Sequence, residues 1–135
     1  MKPQGKPLPD VSYLNTRLRY EDGVLYWKRR DGDNREVNSW NGKHADKPAG
    51  SYDHKGYVVV RLDGSTYKAH RIIYLIQHGE LAAELDVDHI DNDASNNRIE
   101  NLRAVTAEFN GSRKRNQWGT RGIQASPVSY REAIA

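Results

Sequence analysis

The sequence contains no cysteine among its 135 residues. This absence excludes disulfide bonds, thiol catalysis and zinc sites built from thiolates. Long apolar runs are missing as well, since no stretch approaches the ~18 residues that a membrane span requires. The first ten residues (MKPQGKPLPD) also lack the apolar segment of a signal peptide. We therefore expect a soluble, cytoplasmic protein that has no membrane partner.

Charge is nearly balanced, with 21 Lys and Arg against 18 Asp and Glu. So small an excess is compatible with a polyanionic partner but does not require one. The distribution is more informative than the total. Residues 86–110 are rich in acids and amides, and the basic run Arg113, Lys114 and Arg115 follows them directly.

Turn signals and hydrophobic periodicity predict an α+β fold, with small antiparallel hairpins and one helix in the N-terminal half. Residues 24–28 are β-rich and follow an Asp-Gly turn, and residues 30–50 are interpreted as a long polar loop. Two further β-rich runs, residues 57–62 and 66–69, predict a hairpin across DGS. The segment AHRIIYLIQHGEL, residues 69–81, then predicts a helix that its glycine ends.

The stretch DVDHIDNDASNNRIENLRAVTAEFN, residues 86–110, predicts a strand, a polar loop, a second strand and a helix capped by Thr106. Calcium is the first alternative for its loop, because Asp91 and Asp93 lie at alternate positions, as in an EF-hand. An EF-hand needs glycine at position six, where Asn96 stands, and glutamate at position twelve, where Leu102 stands. The loop residues are therefore interpreted as turn formers whose side chains bond the backbone.

Asp88 and His89 do not fit a solvated turn, because apolar residues flank them within the first strand. Asn110 lies one turn into the following helix. Packing of that helix on the strand would bring Asp88 and Asn110 together, and two oxygen donors with open positions suit a hard cation such as Mg²⁺. In a regular strand His89 would point away from Asp88, so the strand end must bend for both to serve one site.

The pattern DHID, NRIENLR, VT and a final N resembles the motif of the HNH endonuclease family, in the variant of phage and intron-type homing and nicking enzymes. The upstream segment GYVVVRLDGSTYKAHRIIYLIQHG is similar to the one that precedes this motif, so the resemblance covers about residues 20–118. It implies a ββα-metal core, which matches the order strand, loop, strand, helix. It also implies cleavage of double-stranded DNA to 5′-phosphate and 3′-hydroxyl ends, with one Mg²⁺ or Mn²⁺ ion.

The resemblance also implies roles for individual residues. Asp88 and Asn110 fall on the two metal ligands, and His89 falls on the general base. Asn101 matches the central asparagine, which orients the loop and the histidine. A histidine suits the role of base because its ordinary pKa, near 6.5, lets it accept a proton at neutral pH.

Four basic residues are candidates for DNA contact. Arg103 lies on the second strand, where a contact with the scissile phosphate and a surface ion pair are equally good interpretations. Arg113, Lys114 and Arg115 follow the metal-binding helix and are predicted to contact the DNA backbone, the alternative being a solvated helix end.

Four segments follow from these patterns. They are an N-terminal arm, a hairpin-and-helix region, the ββα-metal core and a short hairpin-like tail, assigned to residues 1–19, 20–84, 85–118 and 119–135. A catalytically silent DNA-binding module and a restriction or packaging nuclease remain as alternative functions. The oligomeric state, monomer or homodimer, is left open.

Overall fold

The computed structural model describes residues 7–109 of the chain. It confirms the α+β class, with small antiparallel sheets and helices alternating along the chain. The elements, in chain order, are α1 (Val11–Arg17), β1 (Leu18–Glu21), β2 (Val24–Trp27), α2 (Arg35–His44), β3 (Ser51–Tyr52), β4 (Val58–Leu62), β5 (Ser65–Lys68), α3 (Ala69–His78), β6 (Leu85–His89) and β7 (Leu102–Thr106). A short 3₁₀ turn, Ile99–Asn101, precedes β7.

Three separate antiparallel sheets surround α3. Strands β1 and β2 form one hairpin, β3, β4 and β5 form a three-stranded sheet, and β6 pairs with β7. Helix α3 contacts α1, β1, β4, β5, β6 and β7, and its Ile72 and Ile73 are completely buried. The helix ends at Gly79, whose φ of +84° is a left-handed conformation that glycine adopts without strain. This central helix holds the three sheets around one apolar core.

The prediction of an N-terminal arm over residues 1–19 is wrong for residues 11–19. Helix α1 begins where the Asp10 side chain accepts a hydrogen bond from the Ser12 backbone N–H. Leu14 and Leu18 are completely buried in the core. Seven residues of helix are too short for hydrophobic periodicity to stand out in the sequence, which explains why α1 and β1 were missed.

Residues 30–50 contain helix α2 and are therefore not one long loop, so among the described residues three α-helices, and not one, precede β6. The Asn34 side chain caps α2 by accepting from Val37 N–H at 2.9 Å. Its buried side chain is Asn41, whose amide bonds both the N–H and the C=O of Arg30. A helix anchored through an amide has no apolar stripe, and this is the signal on which sequence-based assignment depends.

The predicted hairpins agree with the structure to within one or two residues. β4 and β5 pair in the register Leu62 with Ser65, across a turn in which Asp63 and Gly64 have φ of +52° and +82°. Strand β2 lies within the predicted range, although its partner β1 was not expected. In the described residues, no helix has the length and apolar character needed to cross a membrane.

Candidate active site

The predicted site residues lie on the β6–β7 hairpin. Its register pairs Asp88 with Arg103 and His89 with Leu102. Alternation of buried and exposed residues, which a half-buried strand shows, fails at the end of β6, where Val87, Asp88 and His89 are all buried. A carboxylate and an imidazole on consecutive residues are thus both buried, and buried polar groups need partners.

The Asp88 carboxylate is paired with Arg103. Arg103 Nε lies 3.1 Å from Asp88 Oδ2, and the arginine side chain is 37% exposed while that of Asp88 is 10% exposed. The guanidinium also lies 4.8 Å from the centre of the Phe109 ring. The sequence left two interpretations of Arg103 open, a phosphate contact and a surface ion pair. The structure contains an ion pair, and the partner of Arg103 in it is Asp88, the predicted metal ligand. The arginine therefore lies at the site itself.

The His89 ring is held by a hydrogen bond at one nitrogen and by two neighbouring aromatic rings. Its Nε2 lies 2.7 Å from Asn97 Oδ1, and its centroid lies 4.6 Å from that of His70 and 6.0 Å from that of Tyr57. Burial lowers the pKa of His89 below its ordinary 6.5, although the hydrogen bond to Asn97 and the charge of Asp91 oppose this effect. The neutral ring, which is the form that can act as a base, therefore predominates at neutral pH.

His70, at the start of α3, is buried against the His89 ring. Burial lowers the pKa of His70 well below 6.5, and the charges of His89, Arg71 and Lys68 lower it further. A neutral His70 places no positive charge against His89, so it does not reduce the basicity of that ring. His70 Nδ1 has no hydrogen-bond partner among the residues that the structure describes.

Asn101 holds the loop that joins β6 to β7. Its Oδ1 accepts from Asp91 N–H at 3.0 Å, and its Nδ2 donates to Asp91 Oδ1 and to the Asn96 carbonyl, both at 2.9 Å. Its backbone carbonyl accepts from Ile90 N–H at 2.8 Å. Asn101 therefore closes residues 90–101 into a fixed shape. These side-chain contacts are with the loop, whereas the contact with His89 comes from Asn97.

The other polar loop residues act as turn formers, as the sequence indicated. Asp93 Oδ1 accepts from both the N–H and the hydroxyl of Ser95, and Asn96 Nδ2 donates to Asp91 Oδ2 at 2.7 Å. The Tyr20 hydroxyl of β1 accepts from Ile99 N–H at 2.8 Å, which anchors the loop to the first hairpin. The strand that the sequence missed therefore supports the site.

Several predicted site residues lie outside the described residues. Phe109 N–H donates to Thr106 Oγ1 at 3.1 Å, so a helix does begin after β7, over residues 107–109. The second predicted ligand, Asn110, comes next and is not described, and neither are Arg113, Lys114 and Arg115, nor the tail 119–135. Within residues 7–109, no group of three or more His, Asp or Glu could hold a metal ion. Asp88 alone does not make a metal site, so Asn110 stays a prediction.

Sequence reasoning did not identify Asn97, which it treated as a turn residue, or Tyr57. No spacing rule marks Asn97 among the neighbouring amides of its loop. Its contact with His89 appears only when the loop folds back over the end of β6. Tyr57 directly precedes β4 and approaches His89 from outside the β6–β7 hairpin, and the sequence separation between the two residues conceals such a contact.

Comparison with known proteins tests the resemblance that the sequence pattern indicated. Residues 67–112 match the family model described as HNH endonuclease. The resemblance to HNH endonucleases that the sequence pattern indicated is thus confirmed over these residues. The matched segment begins in β5 and contains α3 and the whole β6–β7 hairpin. Of the residues described at the site, Tyr20 and Tyr57 lie outside it.

Two known proteins extend the comparison. Over 84 residues it is 40% identical to an uncharacterized HNH endonuclease of Acanthamoeba polyphaga mimivirus, a match that covers 59% of this chain and 44% of that protein. A solved structure, which concerns DNA binding and cleavage by the HNH homing endonuclease I-HmuI, matches with a TM-score of 0.53 and 21% identity. That match covers 85% of this chain and 60% of the other. The chain thus spans less than half of its curated relative, and the structural likeness shows a shared fold.

Proposed function

We propose that this protein is a metal-dependent endonuclease that hydrolyses phosphodiester bonds in double-stranded DNA. The observation that carries the proposal is the arrangement of His89 next to Asp88 at the end of β6. The histidine is buried, fixed through Nε2 and predominantly neutral, and the carboxylate beside it faces a cationic side chain. A base and an oxygen ligand on adjacent residues of an HNH segment fit the hydrolysis of a phosphodiester.

In this mechanism His89 acts as the general base. Asn97 Oδ1 has no proton to give, so His89 Nε2 carries the ring proton and Nδ1 is the nitrogen that accepts one. His89 Nδ1 takes a proton from a water molecule as the water oxygen forms a bond to phosphorus. The bond between phosphorus and the 3′ oxygen breaks, and that oxygen takes a proton from solvent. The products are 5′-phosphate and 3′-hydroxyl ends.

Asp88 and Asn110 would hold one Mg²⁺ or Mn²⁺ ion. The Asp88 carboxylate suits this role chemically because its oxygens are hard donors and one of them already faces a cation, the Arg103 guanidinium. When bound, the ion would supply charge neutralisation for the phosphate and the leaving oxygen. A single carboxylate would leave the bound ion with a net positive charge.

Four basic residues would contact the DNA. Arg103 is half-exposed beside Asp88, so its guanidinium can reach a phosphate that approaches the site. For Arg113, Lys114 and Arg115, the support is their position in the sequence, a few residues after residues 107–109, where a helix begins. The fold shared with I-HmuI, a homing endonuclease that binds and cleaves DNA, is in keeping with DNA as the substrate.

A plasmid-nicking assay tests the proposal. Supercoiled DNA is incubated with the wild-type protein in Mg²⁺, Mn²⁺ or EDTA, and the His89→Ala variant is assayed in parallel. We expect cleavage only with a divalent ion, and a rate lower by a factor of about 10² or more in His89→Ala, because a general base contributes on that order. DNA binding, measured by fluorescence anisotropy, should survive in His89→Ala.

The matched control is His54→Ala, since His54 is an exposed histidine outside the β6–β7 hairpin. It should cut at the wild-type rate. Undiminished cutting in EDTA would contradict the metal requirement, and normal cutting by His89→Ala would contradict the assignment of the base. DNA binding without cleavage under every metal condition would favour the silent DNA-binding module.

A further inference from the structure

Asn97 is the most deeply buried polar residue of the β6–β7 loop, with 2% of its surface exposed. A buried amide is costly unless it is hydrogen-bonded. The contact that the structure gives its side chain is with His89 Nε2, at 2.7 Å. Burial at this level together with a contact to the reacting ring distinguishes Asn97 from the other amides of the loop.

The direction of this hydrogen bond is determined by the chemistry of the two groups. An amide oxygen only accepts hydrogen bonds, so the His89 Nε2 that faces it must carry a proton. In a neutral imidazole the other nitrogen, Nδ1, is then unprotonated. The contact with Asn97 therefore selects the tautomer in which Nδ1 is free to accept a proton, and it fixes the rotation of the ring as well.

The surroundings of His89 leave this orienting role to Asn97. His70 and Tyr57 approach the ring as neighbouring aromatic groups, with centroids 4.6 Å and 6.0 Å away. Such packing restricts the tilt of the ring but does not distinguish one nitrogen from the other. Asn101, which the family motif assigns to orienting the histidine, bonds Asp91 and Asn96 through its side chain.

We propose that Asn97 is the positioning residue of the general base, holding His89 in the tautomer and orientation in which Nδ1 receives the proton of the attacking water. This inference rests on the proposed function, because it assumes that His89 is the base. The geometry on which it stands, the contact between Asn97 Oδ1 and His89 Nε2, is independent of any measured activity.

The experiment compares Asn97→Ala with two further variants. Asn97→Asp keeps an oxygen acceptor of nearly the same shape. Asn96→Ala removes a buried amide of the same loop that bonds Asp91, and so controls for general disturbance of the loop. Protein labelled with ¹⁵N-histidine is used for NMR of the ring N–H groups, and the His89 signal is assigned by its loss in His89→Gln.

In the wild type we expect a protected His89 Nε2–H signal. Asn97→Ala should lose it, because an imidazole N–H without a partner exchanges rapidly with water, whereas Asn97→Asp and Asn96→Ala should keep it. In the plasmid assay, Asn97→Ala should lower kcat about 10-fold or more with KM within about twofold, which is within the ~10²–10⁴ that a general base supplies. Asn97→Asp should restore most of the lost kcat.

Two results would overturn the proposal. One is an Asn97→Ala variant that keeps both the Nε2–H signal and the wild-type kcat. The other is an equal loss of kcat and signal in Asn96→Ala, which would mean that the loop as a whole, and not one hydrogen bond, holds the ring. If the wild type did not cut DNA at all, the proposed function would fail, and the NMR comparison would still decide whether Asn97 fixes His89.

Discussion

The hairpins β4–β5 and β6–β7 both pack against α3, yet they are closed in opposite ways. The first is closed by a turn of two residues, Asp63 and Gly64. Both have a positive φ, which a tight hairpin turn requires. The second is closed by residues 90–101, whose shape depends on hydrogen bonds between side chains and backbone, above all those of Asn101.

The strands differ in the same sense. β4 alternates between buried and exposed positions, with Val58, Val60 and Leu62 inside and Arg61 outside. In β6 the last three residues are all buried, so buried and exposed positions do not alternate there and polar groups are buried on both faces. The hairpin that only contributes to the core follows the local rules, whereas the one that bears the proposed catalytic residues departs from them and relies on its loop for compensation.

Among the substitutions that test this comparison, we expect Asn101→Ala to have the largest effect on stability and cleavage. The variant loses three side-chain hydrogen bonds, at 3.0, 2.9 and 2.9 Å, and leaves part-buried partners without them. Since each contributes about 0.5–1.5 kcal/mol, we expect the free energy of unfolding to fall by about 2–3 kcal/mol. Cleavage should fall about 10²-fold, because the loop that carries Asn97 loses its shape. Urea unfolding and the plasmid assay measure the two effects.

Asn38→Ala is the control, because Asn38 is an exposed asparagine of α2. It should change both quantities little. If Asn101→Ala were as stable and as active as the wild type, the loop would hold its shape by other contacts, and the contrast between the two hairpins would disappear.

The sequence predicted the parts of this fold that local rules specify. The β4–β5 hairpin and α3 have strong periodicity and a turn or cap residue at the right place, Asp63-Gly64 and Gly79. The strands β6 and β7 were located because motif spacing and apolar residues coincided there. Asp88, His89 and Arg103, which all lie on this hairpin, were marked as candidates by the sequence itself.

The remainder depends on contacts between segments far apart in the sequence. The first such contact is made by β1, whose Tyr20 hydroxyl accepts from Ile99 N–H in the loop between β6 and β7. Helix α2 is anchored by Asn41 through the backbone of Arg30, a contact that leaves no periodic signal. Asn97 looked like one turn amide among several, and its contact with His89 arises only from the folded loop.

The next effect in size is expected for Arg103→Ala. The guanidinium is 37% exposed and pairs with Asp88 at 3.1 Å, so its removal takes away about 0–1 kcal/mol of ion pairing. Without this competing cation, the metal concentration that gives half-maximal cleavage should fall by up to about fivefold. Cleavage at saturating metal should fall about 10-fold, since a charge-assisted contact with the phosphate is lost.

Two variants control for charge and position. Arg103→Lys keeps the charge without the planar guanidinium and should give intermediate values. Arg61→Ala removes an exposed arginine from β4, the other hairpin, and should leave the metal dependence unchanged. An unchanged metal titration in Arg103→Ala would show that the ion pair with Asp88 does not compete with the metal.

The smallest effect is expected for Asp53→Asn, beside the β3–β4–β5 sheet. Burial raises the pKa of Asp53, but the hydrogen bond from Lys68 Nζ at 2.6 Å and those from the N–H groups of Lys55 and Tyr57 outweigh it and lower the pKa to about 2. A carboxyl group with a lowered pKa in the folded state stabilises the protein above its unfolded pKa of 3.8. That contribution is lost as the pH falls from about 4 to about 2.

Because Lys68 is 40% exposed, water screens the pair, and we expect Asp53→Asn to lower the free energy of unfolding at pH 7 by only about 1 kcal/mol. Urea unfolding at pH 7, 4 and 2.5 should show the difference from the wild type shrinking towards the lowest pH, while plasmid cleavage at pH 7 stays within about twofold. Asp33→Asn, at an exposed aspartate, is the matched control. A difference that persisted unchanged at pH 2.5 would mean that the charge of Asp53 contributes nothing. A large loss of cleavage would mean that the hydrogen bond between Asp53 and the Tyr57 N–H supports the packing of Tyr57 near His89, contrary to the division of roles between the two hairpins.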